Sequence, residues 1–299
     1  MPHEIETQTY TFVTINIING KSMKKNIFRW LSIFVMAAVC VGFASCGDDD
    51  DDVKPGGGPD SGIAVKFQGP KRVFGNNLLS SYVSVGTKYE FTYNSDDFVT
   101  KITKTNQFGH LDYFYEMTYS DNKVMVAKKG SGREYTGTFI IGSNGFAERV
   151  EGKILGESVK FYYDSDGHLT SLSASGGFSG SLIWQDGNIM KQSDNDSDTR
   201  RTMTYNSTNN IAGLYVNANL GGDMGEFYDD IFYYIGLLGK GTANLVATYT
   251  NSSSSSSTTA ENSWTLDAAG RPTKCITQVT IRSGSSYSND TKTYTWNYR

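Results

Sequence analysis

Apolar and polar residues alternate singly along most of the chain, in short runs bounded by Gly, Asn, Asp and Ser. Glu90, Phe91, Thr92 and Tyr93 set the pattern: aromatic groups fall on one face and Thr, Glu or Lys on the other, as in a half-buried antiparallel strand. The runs come in pairs around polar turns, best seen in Tyr163-Asp164-Ser165-Asp166-Gly167-His168-Leu169. An Asp that bonds its own downstream backbone and a Gly that accepts positive φ close a tight reversal, so each pair predicts a β-hairpin. Aligning the hairpins gives the anchors Tyr93, Tyr119, Ile141, Tyr163, Trp184 and Tyr205, spaced by 26, 22, 22, 21 and 21 positions. A further copy runs from Trp264 to Gly270, and a half-copy from Tyr294 to Tyr298 closes the chain. A fixed period of this size marks one supersecondary unit used repeatedly, and consecutive hairpins make an up-and-down meander. The prediction is a single all-β domain over residues 63–299, an antiparallel meander of up to about fourteen or fifteen strands curved into an open or partly closed barrel-like sheet.

The period breaks once, between Tyr205 and Leu266, a gap of 61 positions that holds the one convincing helical pattern. Asp223 and Glu226 have capping-box spacing, Phe227, Ile231, Tyr234 and Leu238 recur at helical intervals, and Gly239 with Lys240 suits a C-terminal end. This predicts a helical insertion at about 223–239, its broad aromatic face packed on the concave side of the sheet. A membrane-binding or partner-binding helix is the alternative for that face. Ser252 to Thr259, all Ser or Thr, predict a mobile hairpin tip.

Before the repeat the chain changes character. From Met23, Lys24, Lys25 and Arg29 form a basic start, Leu31 to Val41 an apolar run, and Ala44 and Ser45 precede Cys46. That order is a secretory signal, over residues 23–45, and its apolar core falls short of the roughly 18 residues of a spanning helix. Residues 1–22 show no periodic pattern and read as a misassigned start. Phe43-Ala44-Ser45-Cys46 resembles a bacterial lipobox, in which a Cys thiol is acylated and becomes the new N-terminus; Phe43 stands where Leu is commoner. The resemblance implies lipid attachment at Cys46 and a membrane as partner. Gly47, five aspartates and a Pro/Gly run follow, so residues 46–62 read as the lipidated Cys and a solvated tether, with a reach of roughly 20–25 Å. The acidic run directly after the Cys resembles the surface-export signal of Bacteroidetes lipoproteins; a plain spacer is the alternative.

The Tyr-x-Tyr-[Asn/Asp] hairpins, with the late helix, give residues 62–299 a resemblance to uncharacterised lipoproteins of gut Bacteroidetes whose domain of unknown function has a porin-like fold. It implies a strongly curved sheet with a helix against it, and supplies no catalytic residues. Similar hairpins also occur in the repeat shells of secreted toxins. A lipid-spanning barrel would need an apolar outer band, whereas the positions opposite the aromatics include Glu90, Glu116, Lys160 and Arg201.

Composition narrows the chemistry. The 299 residues carry a net charge of −4, but residues 62–299 hold 22 basic and 23 acidic side chains, so the folded body is nearly neutral. No basic cluster suits a nucleic acid, and none is expected as a partner. Cys40 lies in the signal core and Cys46 at the lipid site, which leaves Cys275 as a buried, inert thiol with no disulfide partner. His110 and His168 read as turn residues, His168 as exposed. Asp194-Asn195-Asp196-Ser197-Asp198 has oxygen ligands at alternating positions, but Thr199 and Tyr205 replace the Gly and Glu of a calcium loop, and a solvated hairpin loop is expected. No nucleophile elbow, phosphate loop or zinc motif occurs. We therefore expect no metal, cofactor or enzymatic activity. The expectation is an outer-membrane lipoprotein facing the cell exterior, with a periplasmic face as the alternative. Its function would be to bind an extracellular glycan or peptide on a concave aromatic surface, or else to serve as a structural or protein-interaction module whose aromatics are core.

Overall fold

The computed structural model describes residues 66–195, 200–214 and 230–299, all within one compact unit, Asp60–Arg299. The readings of residues 1–22, the signal, Cys46 and the tether, and Asp223 to Phe227 of the insertion, lie outside the described residues.

Among the described residues the alternating runs form sixteen strands. The first eight are β1 (Leu79–Ser84), β2 (Thr87–Tyr93), β3 (Val99–Thr105), β4 (Leu111–Ser120), β5 (Lys123–Gly130), β6 (Arg133–Ile141), β7 (Ala147–Gly152) and β8 (Val159–Tyr163). The rest are β9 (Leu169–Ala174), β10 (Ser179–Gln185), β11 (Asn188–Asp194), β12 (Arg200–Asn209), β13 (Asn244–Ser252), β14 (Ser256–Leu266), β15 (Pro272–Ser283) and β16 (Ser286–Tyr298). Each pairs antiparallel with its neighbours in sequence, and β1 also pairs with β16, Leu79 opposite Tyr298. The sheet is therefore a closed barrel rather than the open or partly closed sheet expected. Closure leaves no edge strand along the length where β1 and β16 meet.

The repeat has a structural cause. Tyr93, Ile141, Tyr163, Trp184 and Leu266 each sit where the strand register shifts beside a hairpin turn, and Tyr205 sits at a like shift ahead of the long insertion. Such a bulge leaves one residue extra in one strand and disrupts the ladder locally. The polar tip of each ring then bonds across the barrel wall. Tyr119 donates to the Val99 carbonyl at 2.5 Å, and Val99 is the residue opposite Tyr93. Trp184 donates to Leu169, opposite Tyr163, and Tyr205 to Ile189, opposite Trp184, both at 2.7 Å. Tyr298 donates to Pro272, opposite Leu266, and Tyr93 to Leu79, opposite Tyr298, so these contacts continue across the β1–β16 seam. The body of each ring packs inward while its polar end satisfies a carbonyl at the bulge. The turns match their prediction: the Asn94, Asp164 and Asp267 Oδ1 atoms each accept two backbone N–H groups of their own loop.

One end of the barrel is capped from two directions. The short helix α1 (Lys71–Phe74) buries Phe74, and Phe67 before it stacks on Tyr119 at 5.7 Å. The insertion supplies helix α2 (Asp230–Tyr234) and the buried run 231–238. Phe232 packs on Phe139 at 5.0 Å, and Tyr234 on Tyr82 at 5.6 Å, so α2 reaches separate parts of the wall. The chain leaving α2 is then stitched across the turns: Ala147 N–H donates to the Leu237 carbonyl and Lys240 N–H to that of Gly167.

The helix thus lies on the concave side as predicted, but it ends at Tyr234 instead of near Gly239. Gly236 N–H bonds the Tyr233 carbonyl and Leu237 N–H that of Phe232, the two bonds of a Schellman stop with Gly236 at φ +87°. A Cβ on Gly236 would lie 2.8 Å from the Gly69 carbonyl oxygen, so this glycine also lets the two caps touch. At the Ser-rich tip, only residues 253–255 are turn, because β14 begins at Ser256.

Candidate functional site

The expected concave aromatic surface is core. Tyr115 is 1% exposed, Phe139 0% and Phe232 1%, and Trp264, Trp296 and Tyr82 stack in succession at 5.6 and 5.7 Å. Outward positions include polar pairs, Lys88 with Glu90 at 2.6 Å, Lys129 with Glu116 at 2.9 Å and the Thr204 and Thr248 hydroxyls at 2.7 Å, with exposed apolar side chains such as Met125, Ile183 and Ile281 among them. Arg201, which the sequence placed with the outward polar residues, instead points inward, 3% exposed, its guanidinium 5.4 Å from the Tyr249 ring.

The sequence-level candidates for chemistry are held by the structure they stabilise. His168 is half-buried rather than exposed: its ring stacks on Trp184 at 4.3 Å and its Nδ1 lies 3.0 Å from Asp164 Oδ2. Burial of Asp164 would raise its pKa, but the hydrogen bonds from the His168 backbone and ring outweigh this and hold it below the ordinary value. Asp164, Asp166 and His168 bring three ligand-type atoms within 4.8 Å of one another, yet Asp164 Oδ1 is already taken by the two turn N–H groups. His110 follows its turn and faces solvent. Cys275 is buried between Trp264 and Tyr294, the residues opposite it on β14 and β16. Burial pushes its thiol up to about 11, so a nucleophilic thiolate is disfavoured. Of the calcium-like run, Asp194 and Asn195 are described; Asn195 Oδ1 accepts the Ser179 N–H at 2.6 Å, and residues 196–198 lie outside.

The outer wall does hold a cleft. Between β7 and β8 the ladder has only two residue pairs, Arg149 opposite Lys160 and Val150 opposite Val159. Beyond them β7 stays paired with β6 alone, Gly152 opposite Gly137, and Lys153 N–H bonds the Thr136 carbonyl at 2.7 Å, keeping the chain on the β6 side. Glu157 ties the returning loop to the β9–β10 turn through the Ser175 hydroxyl at 2.8 Å and the Gly176 N–H. The sheet therefore gapes between Glu151 and Ser158, leaving a cleft of about 510 Å³ lined by Arg149, Glu151, Ser158, Lys160, Tyr162 and Ser173 among others. A second hollow of about 380 Å³ shares Tyr162 and Ser173 and continues over Ser171, Ser179, Ser181 and Ser193. Val150, Val159 and Ala174 reach the first cleft, but as inward-facing residues whose side chains are buried in the barrel. Arg149 bonds Glu148 at 2.6 Å and Glu151 at 2.9 Å, and these carboxylates hold its guanidinium above the ordinary value.

Sequence reasoning did not single out this cleft, although one signal was present. The residue before the anchor is Thr92, Thr118, Thr204 or Thr265 in four copies and Ile140 or Ile183 in two; in the fourth copy it is Tyr162, a ring 49% exposed.

Residues 105–274, more than half of the 299, match a family described as a domain of unknown function (DUF4595) with porin-like fold. Among solved structures the chain resembles a porin-like protein from Bacteroides uniformis ATCC 8492, with a TM-score of 0.60 and 17% identity over 74% of this chain and 98% of that one. At that identity the likeness is one of fold. A comparison with curated proteins finds no match.

Proposed function

The chain belongs to that family, the domain of unknown function with a porin-like fold, and on that premise we propose a lipoprotein of the outer membrane, held through Cys46 and its acidic tether, that binds an extracellular ligand on its outer wall. The observation that carries this reading is the exchange of faces: the interior is packed with buried rings and α2, while the exposed hollows lie outside. A barrel filled in this way is a rigid carrier, and the chemistry open to a glycan or peptide is on its surface. The burial of the inward aromatics also favours a second reading, a structural or interaction module with no small ligand.

Protease digestion of intact and permeabilised cells, with a Cys46→Ala variant alongside, tests the anchored, outward-facing part. Digestion in intact cells, with release of the variant from the membrane fraction, is the expected result. Protection until permeabilisation would overturn surface display and favour a periplasmic partner. Membrane retention of Cys46→Ala would overturn lipid anchoring.

A further inference from the structure

We propose that the cleft beside Tyr162 is a binding site for an uncharged oligosaccharide, which rests on the reading of the outer wall as a ligand-binding surface. Three features select this class. The first is the ring itself: Tyr162 is half exposed and borders both hollows, so a sugar's C–H face can stack on it with neighbouring sugar units on either side. The second is the polar lining. Ser158, Ser171, Ser173 and Ser179 have hydroxyls with no hydrogen-bond partner among the described residues, and each can both donate and accept, as sugar hydroxyls do. Arg149 and Glu151, fixed by their mutual bond at 2.9 Å, add an oriented donor and acceptor at the rim, an arrangement ordered before any ligand arrives. The third is charge. In the larger cleft Arg149 and Lys160 are offset by Glu151 and by Glu148, which pairs with Arg149, and the smaller hollow adds the one carboxylate of Asp194, so no cluster of one sign favours an ion.

A peptide fits this lining less well. Apart from Tyr162 the apolar residues of the larger cleft, Val150, Val159 and Ala174, turn their side chains into the barrel core, which leaves no apolar pocket for an anchoring side chain. The larger cleft, at about 510 Å³, is within the ordinary range for small-ligand sites.

The test uses the lipidated full-length protein in detergent micelles, titrated calorimetrically with maltotetraose, cellotetraose, xylotetraose and mannotetraose, with a sialylated trisaccharide and a random peptide library as contrasts. Binding of at least one neutral sugar is expected. Tyr162→Ala should weaken it about tenfold or more and Tyr162→Phe by less than about twofold, because the stacking ring is retained. Ser173→Arg, which sets a long side chain across the floor shared by both hollows, should abolish it. Tyr287→Ala removes a ring 60% exposed elsewhere on the wall and should change nothing. Binding of none of the neutral sugars, binding of the acidic sugar alone, or equal losses in Tyr162→Ala and Tyr287→Ala would overturn the proposal. Tyr162-dependent capture of peptides alone would overturn the sugar class while sparing the ligand-binding reading. Sugar binding by a protein that proves protected on intact cells would uphold the site and sink surface display.

Discussion

Phe232→Ala tests whether the segment inside the barrel is core or a detachable lid. Phe232 is almost wholly buried, its ring 5.0 Å from that of Phe139 and 6.2 Å, edge on, from that of Tyr115. Removing a buried Phe side chain from a packed core costs about 3–5 kcal/mol, since the transfer energy is lost and the cavity collapses only partly. Against a total stability of roughly 5–15 kcal/mol this is a large fraction. At about 2–4 °C per kcal/mol for a domain of this size, the melting temperature should fall by roughly 6–20 °C. Urea unfolding should be followed by far-ultraviolet circular dichroism and by tryptophan fluorescence, because the Trp296 indole lies 3.4 Å from the Tyr234 hydroxyl and reports on α2. If the segment is core, both probes move together to a lower midpoint. A loss below about 1 kcal/mol, the size of an ordinary surface change, would refute the argument. So would a fluorescence transition that precedes the loss of strand signal in the native sequence, since α2 would then leave an intact barrel.

Tyr205→Phe should cost about 1–3 kcal/mol in the same assay, because the carbonyl of buried Ile189 loses its donor at 2.7 Å while the ring stays in place; a neutral result would make the girdle of polar tips decorative. The Cys275 thiol, 2% exposed and raised to about 11, should react with a disulfide reagent only at the rate of global unfolding; reaction within minutes in the native state would contradict its burial. Stability should also fall in acid. Asp267 is held below the ordinary carboxylate value by the Arg271 backbone N–H and side chain, and Asp97 by Lys71 and Arg299. A depressed native pKa adds stability above the unfolded value of about 3.9 that is lost as pH falls through the native one. The melting temperature should therefore be flat from neutrality to about pH 5 and drop below about pH 4, the drop being smaller in Asp267→Asn; an identical drop in that variant would exclude this turn as a contributor.

The strands, turns and faces were legible because they are written locally. Alternation places Phe91 inward and Glu90 outward, and Asp164 with Gly167 closes its own hairpin, with no help from distant residues. Closure was not legible, because Leu79 meets Tyr298 across nearly the whole domain and neither residue signals the other. The helix end was misplaced because Gly236 falls inside the apolar spacing that runs to Leu238, and its positive φ is visible only once the Schellman bonds form. The cleft comes from pairs that do not form between Glu151 and Ser158, and an alignment of hairpins registers what recurs rather than a local gap. Tyr162 was the exception, an aromatic ring standing in the sequence where other copies carry Thr or Ile.

The buried rings and the broken period answer one geometric requirement. Side chains can fill a barrel of about eight strands, but at sixteen or more the wall is too wide and the lumen is ordinarily left to water. Here the inward positions are aromatic, and water there would leave a large apolar surface unburied. Chain from elsewhere must therefore enter, and the interruption between Tyr205 and Leu266 supplies it at the one place where the hairpin repeat lapses. Phe232 and Tyr234 extend the wall's own aromatic contacts toward the centre, while Gly236 and the stitched run to Ala243 close the mouth above them. The same meander that leaves a water-filled pore when its apolar face turns outward encloses, among the described residues, a packed aromatic core when that face turns inward. A porin-like topology in this chain is thus a statement about strand order, and any recognition it performs has to be written on surfaces that the sixteen-strand ladder leaves exposed.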